Sequence, residues 1–385
     1  MQNRGSLIRN RGFLTAFLLT FFVIYALYFI PIPYYIYKPG SAEALKPMVQ
    51  VEGGDAEEHG VFMLTTVSVG RSSIFEYLLA RLNPHAEIRE KEEILRGSTE
   101  EEYSTRQQYV MLDSQSNAIQ AAYKAAGIPY RIASSGVMIM QTMEGFSAHG
   151  VLHPGDKIVS IDSVPVSSHS EIRSQLDGKQ AGETVQVAVQ RGKTEKTYKI
   201  ELKDLNAVNR QPAEGGAAPG GDGSGSGASG GTTAESRPGL GITLVELLEI
   251  QPEQEEKRVK IDAKEIGGPS AGLMFSLEIL NQLTPGDLTK GYRIAGTGTI
   301  DPEGNVCSIG GIRHKIVAAD REKADIFFAP ADRKKGECNL AADVPNATDA
   351  IDQAAKIGTK MKVVPVATLE EALRYLDGLP PKEQA

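Results

Sequence analysis

Ile266-Gly267-Gly268-Pro269-Ser270-Ala271-Gly272-Leu273-Met274-Phe275 sets a hydroxyl between glycines and runs straight into an apolar helical segment. An exposed nucleophile at a helix start needs those features. Gly267, Gly268 and Gly272 allow a substrate backbone to approach closely, and Pro269 fixes the turn. Ser270 then falls where unpaired N–H groups attract an oxyanion. The competing reading is that Ser270 simply caps a helix, a common role for serine before an apolar run. What decides between them lies downstream.

The helix that follows carries Leu273, Met274, Leu277, Leu280 and Leu283 on one stripe and reads as core. Ile294 to Asp301 is then a strand, Ile-Ala-Gly-Thr-Gly-Thr-Ile-Asp. Ile309-Gly310-Gly311-Ile312-Arg313-His314-Lys315 leads into an alanine-rich helix over 316–323. A strand at Ile326 to Pro330, another at Val363 to Val366 and a helix from Leu369 to Leu376 close an α/β layer.

Upstream, Ala213 to Glu235 is dense in Gly, Ser and Ala and reads as a flexible tether. Leu240 to Leu248 and Arg258 to Ile261 read as strands leading to the Ser270 turn. Before the tether, Val137 to Met140, Lys157 to Asp162 and Thr184 to Val189 read as strands, with a short helix at Ser168 to Leu176. Further back, Gly60 to Val69 is a buried strand, while Ser73 to Leu82, Glu87 to Leu95 and Met111 to Ala126 look helical. His149 and His153 flank a turn with no third ligand nearby and read as surface loop histidines.

At the N-terminus, Phe13 to Ile30 is an uncharged apolar run just long enough to cross a bilayer. Arg4, Arg9 and Arg11 on its near flank predict that this end stays cytoplasmic. Tyr25, Tyr28, Tyr34, Tyr35 and Tyr37 form an aromatic interfacial belt on the far side. A cleaved signal peptide is the alternative, with Ala42-Glu43-Ala44 as its site.

A net charge of −8 without a basic stripe argues against nucleic acid as partner. Two cysteines, Cys307 and Cys338, form neither a disulfide framework nor a Cys-x-x-Cys metal site. They would close a loop if geometry allows. The sequence contains no Gly-x-x-x-x-Gly-Lys-Ser/Thr loop for a nucleotide, and no cofactor is expected.

Two resemblances follow from these residues. Val137-Met138-Ile139-Met140 with Leu152-His153-Pro154-Gly155-Asp156-Lys157-Ile158-Val159-Ser160-Ile161-Asp162 resembles a PDZ domain of the bacterial protease type. Such a fold leaves a groove into which an extended peptide adds as a strand. That resemblance implies Ser135, Gly136, Val137 and Ile139 along the groove; an empty, packing or gating role is the alternative.

Gly-Gly-Pro-Ser-Ala-Gly, then Gly-Thr-Gly-x-Ile, then Ile-Gly-Gly-Ile-x-x-Lys is similar to the ordered motifs of the Lon protease proteolytic domain. With the apolar N-terminus and the PDZ module, the whole resembles the membrane-bound Lon-like proteases of Gram-positive bacteria, of the pheromone-processing type. The resemblance implies Ser270 as nucleophile, Lys315 as general base and Thr297 as a threonine that helps orient the lysine. Pro269 has no N–H, so the Ser270 amide and a neighbouring glycine amide, Gly268, are expected at the oxyanion. Cys307 and Ser308 depart from the family pattern and put the path of that loop in doubt.

The expected fold is α+β: a Lon-type proteolytic domain, a PDZ β-sandwich or barrel-like module, and one transmembrane helix. The implied division is 1–12 cytoplasmic, 13–30 in the membrane, 40–126 as the first part of the protease region and 128–204 as the PDZ domain. The remainder is 205–237 as linker, 238–376 as proteolytic domain and 377–385 as tail. The resemblance places the strand around Leu64 in the protease sheet and makes the PDZ module an insertion. Substrates are then peptides or unfolded segments outside the cytoplasm, cut without ATP. The family also implies rings of subunits, although no stripe in the sequence defines a contact. The rivals are an inactive PDZ scaffold of the cell surface and a kinase-type phosphate loop.

Overall fold

The structure, a computed structural model, describes residues 4–55, 59–208, 237–263 and 266–383, with 4–12 and 207–208 described by backbone alone. The tether at 213–235 lies outside the described residues. In chain order the main elements begin with α1 (Arg4–Phe29), β1 (Pro31–Ala44), β2 (Val61–Ser73), α2 (Ile74–Leu82), β3 (Glu87–Glu90) and α3 (Glu100–Ala126). Next come β4 (Tyr130–Thr142), β5 (Lys157–Ile161), α4 (His169–Leu176), β6 (Thr184–Arg191), β7 (Thr194–Glu201) and β8 (Ile242–Pro252). The last third holds α5 (Gly272–Leu283), β9 (Arg293–Gly296), α6 (Ile312–Arg321), β10 (Ile326–Pro330), α7 (Asn346–Ile357), β11 (Lys362–Val366) and α8 (Leu369–Asp377).

These elements form two compact units. One comprises residues up to Glu100 with Gln107–Arg131 and Ile250 onward; the other comprises Glu101–Arg106 and Ile132–Glu249. The first unit is therefore built from sequence on both sides of the second.

Its sheet runs β11-β10-β9-β2-β1-β3. β9 pairs in parallel with β2, placing Gly296 beside Leu64, and in parallel with β10, placing Gly296 beside Phe328. β1 runs antiparallel to both β2 and β3. Strand periodicity explains the layering. Phe62, Leu64 and Phe328 enter one core with Leu273, Met274, Phe275 and Leu277 of α5. The intervening Met63 and Phe327 enter another with Ile312, Ile316 and Ala319 of α6 and Ala350 and Ala354 of α7. Helices thus cover both faces of the sheet, so this half is a layered α/β arrangement rather than a segregated α+β one.

Several boundaries move. The sheet of the first unit takes in Pro31 through β1, so it starts before residue 40. Glu87 to Glu90 is a strand instead of the start of a helix, because pairing with Tyr34 to Tyr37 extends the sheet edge there; only Lys91–Leu95 is helical. β8, read above as leading into the protease, instead lies next to β4 in the sheet of the second unit, ordered β8-β4-β5-β6-β7.

α2 shows how sequence sets a terminus. Ser73 Oγ accepts from the Glu76 amide at 3.2 Å while Glu76 Oε2 accepts from the Ser73 amide at 3.0 Å, a reciprocal capping box.

Phe13 through Phe29 of α1 expose large apolar side chains with no polar face to the helix. Among the described residues no helix is long and apolar enough to cross a membrane, and the side chains of α1 are described from Phe13 only.

Candidate active site

Ser270 sits on the turn that leads into α5, and Lys315 on the buried face of α6. Lys315 Nζ lies 2.8 Å from Ser270 Oγ and donates to the Thr65 carbonyl at 2.7 Å. The helix cap belongs to Ala271, without a side-chain bond, so the Ser270 hydroxyl is not spent on capping. It faces the lysine.

Lys315 is 3% exposed. Removing an ammonium from water penalises its charged form, and burial lowers this pKa from the ordinary 10.5 to about 7. His314, the adjacent residue, faces elsewhere: its Nε2 lies 3.5 Å from Glu87 Oε2, and burial lowers its pKa.

The loop carrying Ser270 is held from three sides. Thr297 Oγ1 and the Gly298 amide both donate to the Ser270 carbonyl, each at 2.9 Å. Ser114 Oγ of α3 donates to the Pro269 carbonyl at 2.8 Å. The Gly268 amide donates to the Gln107 carbonyl at 2.9 Å.

Two assignments change accordingly. Thr297 orients the serine through its carbonyl and makes no bond to Lys315; the lysine's backbone partner is Thr65. Gly268 cannot supply an oxyanion amide here, since its hydrogen is already engaged. Its role is conformational, with φ at +89°. Among the described residues no acceptor takes the amide of Ser270 or Ala271, which makes that consecutive pair the available donors.

Gly272 serves packing rather than substrate approach. A methyl group there would meet Ile300 Cγ2 at 2.8 Å and Ser114 Oγ at 2.9 Å. Gly272→Ala is expected to destabilise the first unit by about 1–3 kcal/mol and to displace the Ser270 turn. Thermal melts read the first effect; unchanged stability would show that the contact is relieved by small shifts.

Cys307, on a short strand Val306–Cys307 paired with Thr299–Ile300, forms a disulfide with Cys338. The departure at Cys307 and Ser308 leaves Gly311 (φ +71°) as the residue before α6.

In the second unit, Ser135, Gly136, Val137 and Ile139 do not line an open groove. They belong to β4, an interior strand flanked by β8 and β5. Val137 and Ile139 are fully buried, Ser135 Oγ donates to the Leu247 carbonyl, and the Lys157 side chain covers Gly136. The outer strands of that sheet are β8 and β7, and β8 is the one next to β4. α4 approaches β8: the His169 amide donates to Glu246 Oε1 at 2.6 Å, and Ile172, Leu176, Leu240, Ile242 and Leu244 share one apolar cluster. Gly239-Leu240-Gly241 ahead of β8, directly after the tether, is the sequence signal that marks this edge. His149 Nδ1 pairs with Thr142 Oγ1 and His153 Nδ1 with Glu101 Oε1. No group of metal-ligating side chains occurs among the described residues.

Comparisons with known proteins agree with the two-part organisation. Residues 256–376 match the Lon protease (S16) C-terminal proteolytic domain, and residues 114–202 match a PDZ domain. The Lon protease of Neorickettsia sennetsu is 31% identical over 108 residues, covering 28% of this chain and 11% of that protein. The Lon protease of Aster yellows witches'-broom phytoplasma is 28% identical over 104 residues, 27% of this chain and 11% of that protein. The chain thus spans about a tenth of the length of the curated relatives it matches. Among solved structures, the PDZ domain of an SdrC-like protein from Listeria monocytogenes is 24% identical, covering 30% of this chain and 93% of that one, with a TM-score of 0.22.

Proposed function

We propose that this chain, which carries a Lon-type proteolytic domain and a PDZ domain, is a serine endopeptidase that cleaves peptides and flexible protein segments by a Ser270–Lys315 dyad without ATP. The observation that carries the reading is the 2.8 Å approach of Lys315 Nζ to Ser270 Oγ at a buried lysine whose pKa falls to about 7. A serine hydroxyl needs an adjacent base to become a nucleophile, and a lysine near neutrality supplies it. Neutral Lys315 takes the hydroxyl proton as Oγ attacks the scissile carbonyl. The Ser270 and Ala271 amides then stabilise the oxyanion, and the protonated lysine returns its proton to the leaving amine. Water, deprotonated by the neutral Lys315 amine, attacks the acyl carbonyl, and as the carbon–Oγ bond breaks the lysine returns that proton to Ser270 Oγ and the carboxylic acid product leaves.

The PDZ unit presents substrate by adding an extended peptide alongside β8, a terminal strand of its sheet, next to α4. α1 anchors the chain in a membrane with the catalytic part on the outer side, a placement supported by its all-round apolar surface and by the Cys307–Cys338 disulfide, which persists in an oxidising compartment.

Because the active form of Lys315 is the neutral one, kcat/KM should rise about tenfold per pH unit below its pKa and level off above it. Incubating the purified chain with unstructured peptides and no nucleotide, from pH 6 to 9, tests this. A profile that is flat or falls with pH would remove Lys315 from the role of base.

A further inference from the structure

We propose that α2 is a membrane-interface helix, laying Leu78, Leu79 and Leu82 into the headgroup region of the bilayer that α1 enters. This rests on the anchoring reading above. The three leucines are 55%, 50% and 82% exposed, on a nine-residue helix whose other side is closed by buried Ala80. With half-buried Phe75 they stand at i, i+3, i+4 and i+7, a single continuous stripe. A contiguous apolar face of this kind marks an interaction site.

What covers it is indicated by what adjoins it. Phe75 opens the stripe and stacks on Tyr28, in the last turn of α1, with ring centroids 4.4 Å apart. The leucine stripe is therefore continuous with the apolar surface of α1 at the end where the chain leaves that helix. The surrounding chemistry fits a lipid–water boundary. Tyr34 and Tyr77 pack together at 5.2 Å, and Arg81 lies over the Tyr77 ring while donating to its hydroxyl at 3.2 Å. Aromatic rings and an arginine flanking an apolar stripe are the composition of a helix lying in the interface plane. Glu76, the acidic residue on α2, is engaged in the capping box and is held toward the helix start.

The chain contains no tryptophan, so one introduced indole reports its own surroundings. The full chain carrying Leu79→Trp, or Leu82→Trp as a second reporter, is reconstituted in phosphatidylcholine–phosphatidylglycerol vesicles, floated, and exposed to lipids brominated near the top of the acyl chain. Ile351→Trp, at a 48% exposed position on α7, is the reference. The expected result is flotation with a blue-shifted α2 reporter that loses roughly half its emission to bromine, as an interfacial depth of ~5–10 Å requires, while the reference loses little. Flotation without quenching at 79 and 82 overturns the proposal and leaves the anchor intact. A blue shift without bromine quenching that grows with protein density assigns the face to a second copy and also overturns it. Failure to float removes the anchor and this inference with it.

Discussion

Ser270→Ala and Lys315→Ala are each expected to abolish the proposed peptide cleavage, by at least about 10⁴-fold in kcat, with the double variant no worse than either alone. Residues that act as one unit lose their function together, which is why such losses do not add. The geometry makes the pair a unit: one 2.8 Å contact joins them, and the described bonds of Lys315 Nζ go to Ser270 Oγ and the Thr65 carbonyl. Lys315→Arg is the sharper variant. It keeps a long cationic side chain, but a guanidinium remains charged above pH 12 and cannot accept the serine proton. It should be as inactive as alanine at every pH tested. Single-turnover measurements on one unstructured peptide, with stability recorded beside them, check this. An active Lys315→Arg form would show that the lysine only positions the serine, and substantial cleavage by Ser270→Ala would remove the serine from catalysis.

Ser270 and Lys315 were legible because each lies in a short motif where backbone shape and chemistry coincide: a glycine-rich turn before an apolar helix, and a Gly-Gly step before another. Thr65 was not legible. It contributes a backbone carbonyl, 250 residues away in sequence, and no side-chain pattern advertises that. Thr297 is marked by its motif, but its partner is not, since the hydroxyl just after β9 reaches the Ser270 carbonyl rather than the buried amine. Ser135, Gly136, Val137 and Ile139 lie on an interior strand for a topological reason. β8, which follows the low-complexity stretch in sequence, lies in the same sheet as the strands that precede it, so that stretch does not mark the boundary of the unit. Glu87 to Glu90, charged and helix-prone in isolation, becomes a strand because β1 offers an edge. Helix propensity yields there to tertiary pairing.

Lys315→Met should stabilise the fold at neutral pH while destroying activity. In the unfolded chain the lysine titrates near 10.5, and in the folded protein burial holds it to about 7. Between those values the unfolded state binds a proton that the native state does not, so native stability rises with pH at up to about 1.4 kcal/mol per pH unit. At and below pH 7 the penalty is fully present, on the order of 5 kcal/mol. A thioether of similar length has no charge to desolvate and removes that penalty. Against this stands the lost bond to the Thr65 carbonyl, about 1–3 kcal/mol when a buried acceptor is left without its donor. The desolvation term is the larger, so a net gain of roughly 2 kcal/mol is expected at pH 7.5. The difference between the two proteins should shrink and then reverse as pH approaches 10.5, where the native lysine carries no penalty and only the lost bond remains. Paired thermal melts of the full chain in detergent, at pH 7.5 and pH 10, read the sign directly. If the methionine form melts lower at both, the lysine is not held neutral at a cost, and the base it supplies to Ser270 must be sought in another group.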